Sequence, residues 1–192
     1  NGLETPHRYQ SNPLTWLIQV RPTSFYWKND DSITGCPSGN CATDIVALGN
    51  PILWWLGIGA LLIVICATLY VRNWRAGVIL TGYLALYAPW LAYAHRTIFT
   101  FYTVAFAPFV ALAVAWMVSL LAGIETPDGT PPDTPAALAA PVPRTTVIMG
   151  RVMAAALIIA ILGCAISFMP LWRADVIDYT YWRAHMWLSS WI

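Results

Sequence analysis

PILWWLGIGALLIVICATLYV, Pro51 to Val71, is apolar from end to end. It supplies roughly the 20 residues that a helix needs to cross a hydrocarbon core, so this stretch decides the class of fold. The composition agrees: 58% of the 192 residues are hydrophobic and only 10% are charged, outside the usual soluble range. The reading is an all-α membrane protein with four transmembrane helices, an outer N-terminal loop region and an aromatic C-terminal tail. Working forward, Arg72-Asn73-Trp74-Arg75 is a short basic turn that makes the first span (51–71) an antiparallel neighbour of the second, 76–94. The eight residues His95-Arg96-Thr97-Ile98-Phe99-Thr100-Phe101-Tyr102 (95–102) then place a basic pair and three aromatics before a third span, 103–122. An ionisable pair beside a span is costly to place, so it marks either a topological anchor or a polar site. Pro89 and Pro108 are read as kinks inside the second and third spans.

Residues 123–146 form a Pro-rich linker, with six prolines between 124 and 144 together with Glu125, Asp128 and Asp133. The fourth span is 147–169, its Arg151 close enough to the start to snorkel. Beyond Pro170 the tail (170–192) carries Trp172, Tyr179, Tyr181, Trp182, Trp187 and Trp191, an aromatic density expected at a membrane interface. Before the first span, residues 1–50 hold no run long enough to cross a bilayer. Asn12-Pro13 reads as a helix start followed by a short amphipathic helix through Val20 that lies on the membrane. Arg21-Pro22 ends it, Thr23-Ser24-Phe25-Tyr26-Trp27 is extended or turning, and 29–40 is a surface loop by composition.

The four cysteines fall into two kinds. Cys66 and Cys164 sit in apolar runs and are expected to pack as small hydrophobes. Cys36 and Cys41 flank a Pro/Gly/Asn turn that brings them within bridging distance, and a disulfide is expected there if the segment faces an oxidising compartment. Asn1-Gly2-Leu3-Glu4 has neither signal-peptide character nor an initiating Met, so the expectation is a C-terminal piece of something longer, or a processed product.

Orientation rests on the same cysteines. With the basic turn and the linker cytoplasmic, Arg72, Arg75, Arg144 and Arg151 lie inside. Arg8, Arg21, Lys28, Arg96, Arg173 and Arg183 lie outside with all three histidines, His7, His95 and His185. A bare count of basic residues favours the reverse, so the oxidising side is what selects this orientation. Outer arginines interleaved with aromatics suit a ligand with a phosphate head and a long apolar tail. The plainer alternative is that they bind ordinary headgroups or pair with Asp175 and Asp178.

Several chemistries are excluded or unsupported. A net charge of +1 with scattered basic residues gives no nucleic-acid face. Three distant histidines without H-E-x-x-H or a Cys/His cluster make no metal site. There is no G-x-S-x-G or Walker sequence, and the outer cysteines lack the C-x-x-C spacing of a thiol oxidase.

Three stretches then stand together: His7-Arg8-Tyr9-Gln10-Ser11-Asn12-Pro13 through Trp16-Leu17, Arg21-Pro22-Thr23-Ser24-Phe25-Tyr26, and His95-Arg96-Thr97-Ile98-Phe99 with Phe101-Tyr102. With the closing Trp182, Met186-Trp187-Leu188 and Trp191, they resemble the C-terminal four-transmembrane region of the protein O-mannosyltransferases, most of all the actinobacterial, polyprenol-phosphate-mannose-dependent type. The resemblance covers nearly the whole chain apart from the linker. Arg8 departs from it, standing where a small residue or proline is expected, and the linker is richer in proline and acid.

The resemblance implies an inverting, multi-span glycosyltransferase of the bacterial plasma membrane, with its site on the outer face. It would move mannose from a polyprenyl phosphate carrier to Ser or Thr of secretory proteins. Its partners would be membrane lipid, the lipid-linked sugar, the N-terminal remainder of the enzyme and the acceptor proteins. No cofactor is implied beyond the lipid-linked donor, and no metal. Such chemistry needs a carboxylate to deprotonate the acceptor and cations to stabilise the departing phosphate. The family's acidic residue lies in the first outer loop of the full enzyme, so no catalytic residue is assigned here, Asp30, Asp31 and Asp44 included. The chain alone is expected to be inactive. His95, Arg96, Tyr102, Arg21 and His7 are the expected substrate-binding residues, with Phe99 and Tyr102 on one helical side below Arg96. The competing reading is a non-catalytic four-helix scaffold that binds a partner.

Overall fold

The computed structural model describes residues 5–29, 33–36, 39–130 and 142–192. Asn1 to Glu4, Asp30, Asp31 and residues 131–141 of the Pro-rich linker, Asp133 included, lie outside the described residues. The chain divides into two compact units, one made of Asn1–Pro51, Pro89–Thr103 and Gly163–Ile192, the other of Ile52–Ala88 and Val104–Leu162.

The first unit contains a small sheet, which corrects the all-α expectation. β1 (Thr23–Lys28) pairs antiparallel with β2 (Cys41–Ala47), and β2 pairs antiparallel with β3 (Ile177–Asp178), in the order β1-β2-β3. The register shifts between Ser24 and Tyr26, so Phe25 is the extra residue of a bulge. A bulge re-aims a side chain, and here the Phe25 ring meets Phe101 of the central stretch at 5.5 Å. The helix expected over 12–20 is only a 3-10 turn, Pro13–Thr15, capped by Asn12. Two features stop it: Gln19 adopts a left-handed φ of 57°, and Trp16, fully buried, turns inward to donate from Nε1 to Ser11 Oγ at 2.8 Å. Trp16 thus anchors the segment in the protein, while Leu14 and Ile18 stay exposed.

In the second unit, α1 (Pro51–Cys66) runs on through a π-helical turn, Ala67–Val71. Arg72, left-handed at φ 60°, ends it by donating its N–H to the Ala67 carbonyl. Asn73 then starts α2 (Trp74–Ala92), its Oδ1 accepting from Arg75 N at 2.9 Å and Ala76 N at 3.3 Å, so the basic turn is two residues shorter than expected. Arg75 pairs with Glu125 at 2.5 Å. Pro89 lies inside α2. Pro108, by contrast, sits in the first turn of α3 (Ala107–Leu121), where its missing N–H costs nothing, because residues Thr100–Ala105 form a 3-10 helix before it. α3 has 15 residues, which at 1.5 Å each reach about 22 Å, short of the roughly 30 Å hydrocarbon core. α4 (Arg144–Arg173) overruns the expected span at both ends and carries Pro170 internally. α5 (Tyr179–Ala184) follows β3.

Among the described residues two segments are long and apolar enough to cross a membrane, Pro51–Val71 and Arg144–Arg173. α2 falls short in composition, with Arg75, Thr81, Tyr83, Tyr87 and Trp90 among its residues. In the second unit Phe106 gathers Trp54, Tyr83 and Tyr87 around it at ring distances of 5.3 to 6.0 Å.

Candidate functional site

The central stretch is built into the first unit by the N-terminal segment. Ser11 N donates to the Ile98 carbonyl at 2.9 Å, and Thr97 Oγ1 donates to the Thr5 carbonyl at 2.7 Å. The buried Thr100 hydroxyl donates to the Arg21 carbonyl and lies 3.0 Å from Ser11 Oγ. These bonds fix where the residues between them stand. Arg96, half-buried, and Tyr102 line one cavity of about 170 Å³ with Trp90, Tyr93, Thr97 and Ile98. Trp90 and Tyr102 stack at 4.5 Å, and the Arg96 guanidinium carbon lies 5.5 Å from the Tyr93 ring centre. Among the described residues no acid pairs with Arg96. A guanidinium on an aromatic wall, without a carboxylate partner, is available to a phosphate.

The other expected residues are placed differently. His95 is exposed in the turn before Arg96 and does not line the cavity. His7 is exposed, its Nδ1 accepting from Tyr9 N at 3.2 Å, and its ring meets Phe99 edge-on at 5.2 Å. Arg21 clamps backbone: Nε and Nη2 donate to the Arg8 carbonyl at 3.1 and 3.0 Å, and Nη1 donates to the Ser190 carbonyl at 2.9 Å. Phe99 stacks on Phe101 at 5.3 Å and Phe101 meets Tyr102 at 4.6 Å, so Phe99 joins Tyr102 through Phe101, and of the two only Tyr102 lines the Arg96 cavity.

Of the tail aromatics, Tyr181 and Trp187 stay exposed and two others turn inward. Trp182 and Trp191 are buried: Trp182 Nε1 donates to Asp44 Oδ2 at 2.9 Å, and Trp191 Nε1 donates to the Gln19 carbonyl at 2.7 Å. His185 is buried as well, 2.6 Å from Ser167 Oγ through Nε2 and edge-on to Phe168 at 4.8 Å. Arg173 lies 3.8 Å from Asp175, the plainer of the two uses expected for it. Cys36 and Cys41 are joined in a disulfide, Cα atoms 5.8 Å apart, at the start of β2.

Residues 1–79 match the family described as the C-terminal four TMM region of protein-O-mannosyltransferase. The polyprenol-phosphate-mannose–protein mannosyltransferase of Mycolicibacterium smegmatis is 28% identical over 185 residues, 96% of this chain and 33% of that protein. The enzyme of the same name from Mycobacterium tuberculosis is 30% identical over 115 residues, 60% of this chain and 22% of that protein. The Corynebacterium glutamicum enzyme is 28% identical over 189 residues, 96% of this chain and 32% of that protein. By sequence the chain is similar to the C-terminal region of the protein O-mannosyltransferases. It spans about a third of the length of the curated mannosyltransferases it matches. A solved structure, the S. cerevisiae protein O-mannosyltransferase Pmt1–Pmt2 complex bound to the sugar donor, has a TM-score of 0.62 at 20% identity, covering 97% of this chain and 24% of that one. At that identity it speaks for the fold alone.

Two parts of the candidate site escaped the sequence. Trp90 and Tyr93 read as ordinary residues of an apolar span, although Tyr93 stands three positions before Arg96, the spacing of helical neighbours. Asp44 read as an acid in a loop without a motif. It is in fact buried in β2, directly opposite Trp27. Burial holds its carboxyl above the usual carboxylate range, against lowering hydrogen bonds from Trp182, Ser24 and the Ile45 backbone.

Proposed function

We propose that this chain is the C-terminal part of a membrane mannosyltransferase that moves mannose from polyprenyl-phosphate-mannose to Ser or Thr hydroxyls of secretory proteins, with Arg96 holding the donor phosphate. The observation that carries the reading is the match over 96% of the chain to a mycobacterial polyprenol-phosphate-mannose–protein mannosyltransferase. The Arg96 cavity adds the chemistry.

In the transfer the acceptor oxygen attacks the anomeric carbon, the bond from that carbon to the phosphate oxygen breaks, and the lipid phosphate leaves with the electron pair. A guanidinium at that oxygen stabilises the charge that develops. The Tyr93 ring lies under the Arg96 guanidinium, and the stacked Trp90–Tyr102 pair presents an aromatic wall of the same cavity to the first carrier atoms. The base that takes the acceptor proton is expected, by resemblance, in the first outer loop of the full enzyme, so this chain contributes the donor side.

Four crossings follow if α2 and α3 are completed by their adjoining turns. The disulfide Cys36–Cys41 lies in the same unit as Arg96 and forms in an oxidising compartment, which favours the outer face of a plasma membrane for this site.

The test is Arg96→Ala in the full-length enzyme, assayed for transfer from polyprenyl-phosphate-mannose in isolated membranes. Loss of one charge-stabilising donor costs about 10²–10³ in rate, with membrane abundance unchanged, and Arg96→Lys should recover part of it. Equal loss of abundance and transfer would leave Arg96 as a structural anchor and overturn its role.

A further inference from the structure

A second cavity in the first unit has no part in the donor chemistry. Its volume is about 210 Å³, and Arg8, Ser24, Trp27, Asp44, Tyr179 and Trp182 are in its lining. That is below the roughly 300–1,000 Å³ of pockets for drug-sized ligands and suits a single ring.

Its chemistry is selective. Asp44 is only 3% exposed yet lines the cavity. Ser24 Oγ donates to its Oδ1 at 3.1 Å, Trp182 Nε1 to its Oδ2 at 2.9 Å, and the Ile45 backbone also reaches it. A carboxylate has about four acceptor positions, so one remains unfilled. Among the described residues no cation pairs with it. Rings stand beside it: Trp27 lies 4.2 Å from Trp182, and Tyr179 stacks on Trp182 at 5.4 Å. Trp27 keeps 42% of its surface exposed. The Arg8 guanidinium, 4.8 Å from the Tyr9 ring, adds a cationic donor to the same lining.

These features reject most ligands. A lipid chain would bury Asp44 with no further donor, which is costly. A cation meets Arg8, and an anion meets Asp44. A ring with vicinal hydroxyls and an apolar C–H face satisfies all of them, giving protons to the carboxylate, accepting from Arg8 and laying its face on indole. We propose that this cavity is a saccharide subsite, separate from the Arg96 cavity, that holds a mannosyl unit already attached to the acceptor protein. The pyranose class rests on the cavity itself, whereas the choice of mannose rests on the mannosyltransferase reading.

The test is saturation-transfer NMR on the whole chain in a sugar-free detergent, with methyl α-mannopyranoside, methyl β-galactopyranoside, a mannosyl-threonine peptide and its unglycosylated form as probes. Saturable mannoside binding is expected, weakened at least tenfold by Trp27→Ala and by Asp44→Asn. Arg96→Ala should leave it unchanged. Trp27 is exposed, so its variant keeps the test decisive if Asp44→Asn fails to fold. The glycosylated peptide should bind more tightly than methyl mannoside. No saturable binding of either glycoside, or binding that Trp27→Ala leaves intact, overturns the subsite. Equal binding of galactoside overturns the mannosyl assignment, and tighter binding of the unglycosylated peptide overturns the saccharide reading. Binding of polyprenyl phosphate in nanodiscs, measured on wild type and Arg96→Ala, judges the donor site separately, so either site can fail while the other stands.

Discussion

Asp44 and Trp182, 138 residues apart, meet in one buried hydrogen bond. Trp182→Phe keeps the ring and removes the N–H. A buried acceptor that loses its donor costs about 1–3 kcal/mol, so the melting temperature in detergent should fall at neutral pH. The pH dependence has a definite sign. Asp44 is raised above its ordinary 3.8, chiefly by burial, so the folded state holds the proton more tightly than the unfolded chain. Its contribution to stability is full below about 3.8 and is lost as pH rises through the raised folded value. Removing the Trp182 donor takes away a lowering influence and should carry that loss to higher pH. Asp44→Asn should remove the step. A melting curve against pH that is identical in all three proteins would contradict this account of the pair.

At the scale of elements, close packing within the second unit can be probed at glycine. A Cβ on Gly150 in α4 would overlap the Leu121 carbonyl at the end of α3, a backbone atom that cannot swing aside, whereas one on Gly59 in α1 meets nothing within 4 Å. Gly150→Ala should lower the melting temperature. Gly59→Ala should match wild type or exceed it by up to about 1 kcal/mol, from helix propensity alone. Equal melting of the two would place Gly150 against no rigid neighbour. The elements also differ in how far they could be read from residues alone. α1 and α4 were legible because an apolar run declares itself without help from its neighbours. The sheet was not. β2 buries residues on both faces, so it lacks the alternation that marks a half-exposed strand, and β3 is two residues long. The aromatic run in β1 reads as extended or turning, and it is extended. Pro108 reads from the residues alone as a kink inside a helix, and only the 3-10 helix before it puts it in a first turn.

For the molecule as a whole, the grouping of the N-terminal segment, the central stretch and the tail follows from the alternation of the expected spans and from placing Cys36 and Cys41 on the oxidising side, and the first unit is assembled from those three segments. Their bonds were beyond reach, because each joins residues far apart in sequence whose types are ordinary. Trp191 is the clearest case, tied to the Gln19 carbonyl while Arg21 holds Ser190. Trp191→Ala should therefore make limited tryptic cleavage at Arg8 and Arg21 faster, although the substitution lies near the opposite end of the sequence. Cleavage unchanged from wild type would show that the N-terminal segment holds its shape without the tail.

That dependence also sets an order of events. A chain leaves the ribosome from its N-terminus at about 5–20 residues per second. The 138 residues between Asp44 and Trp182 then take on the order of ten seconds to make. For that interval Asp44 has no indole donor and the Gln19 carbonyl has no Trp191. The early segment must wait, unassembled, while α1 to α4 are synthesised, and the last residues to be translated complete it.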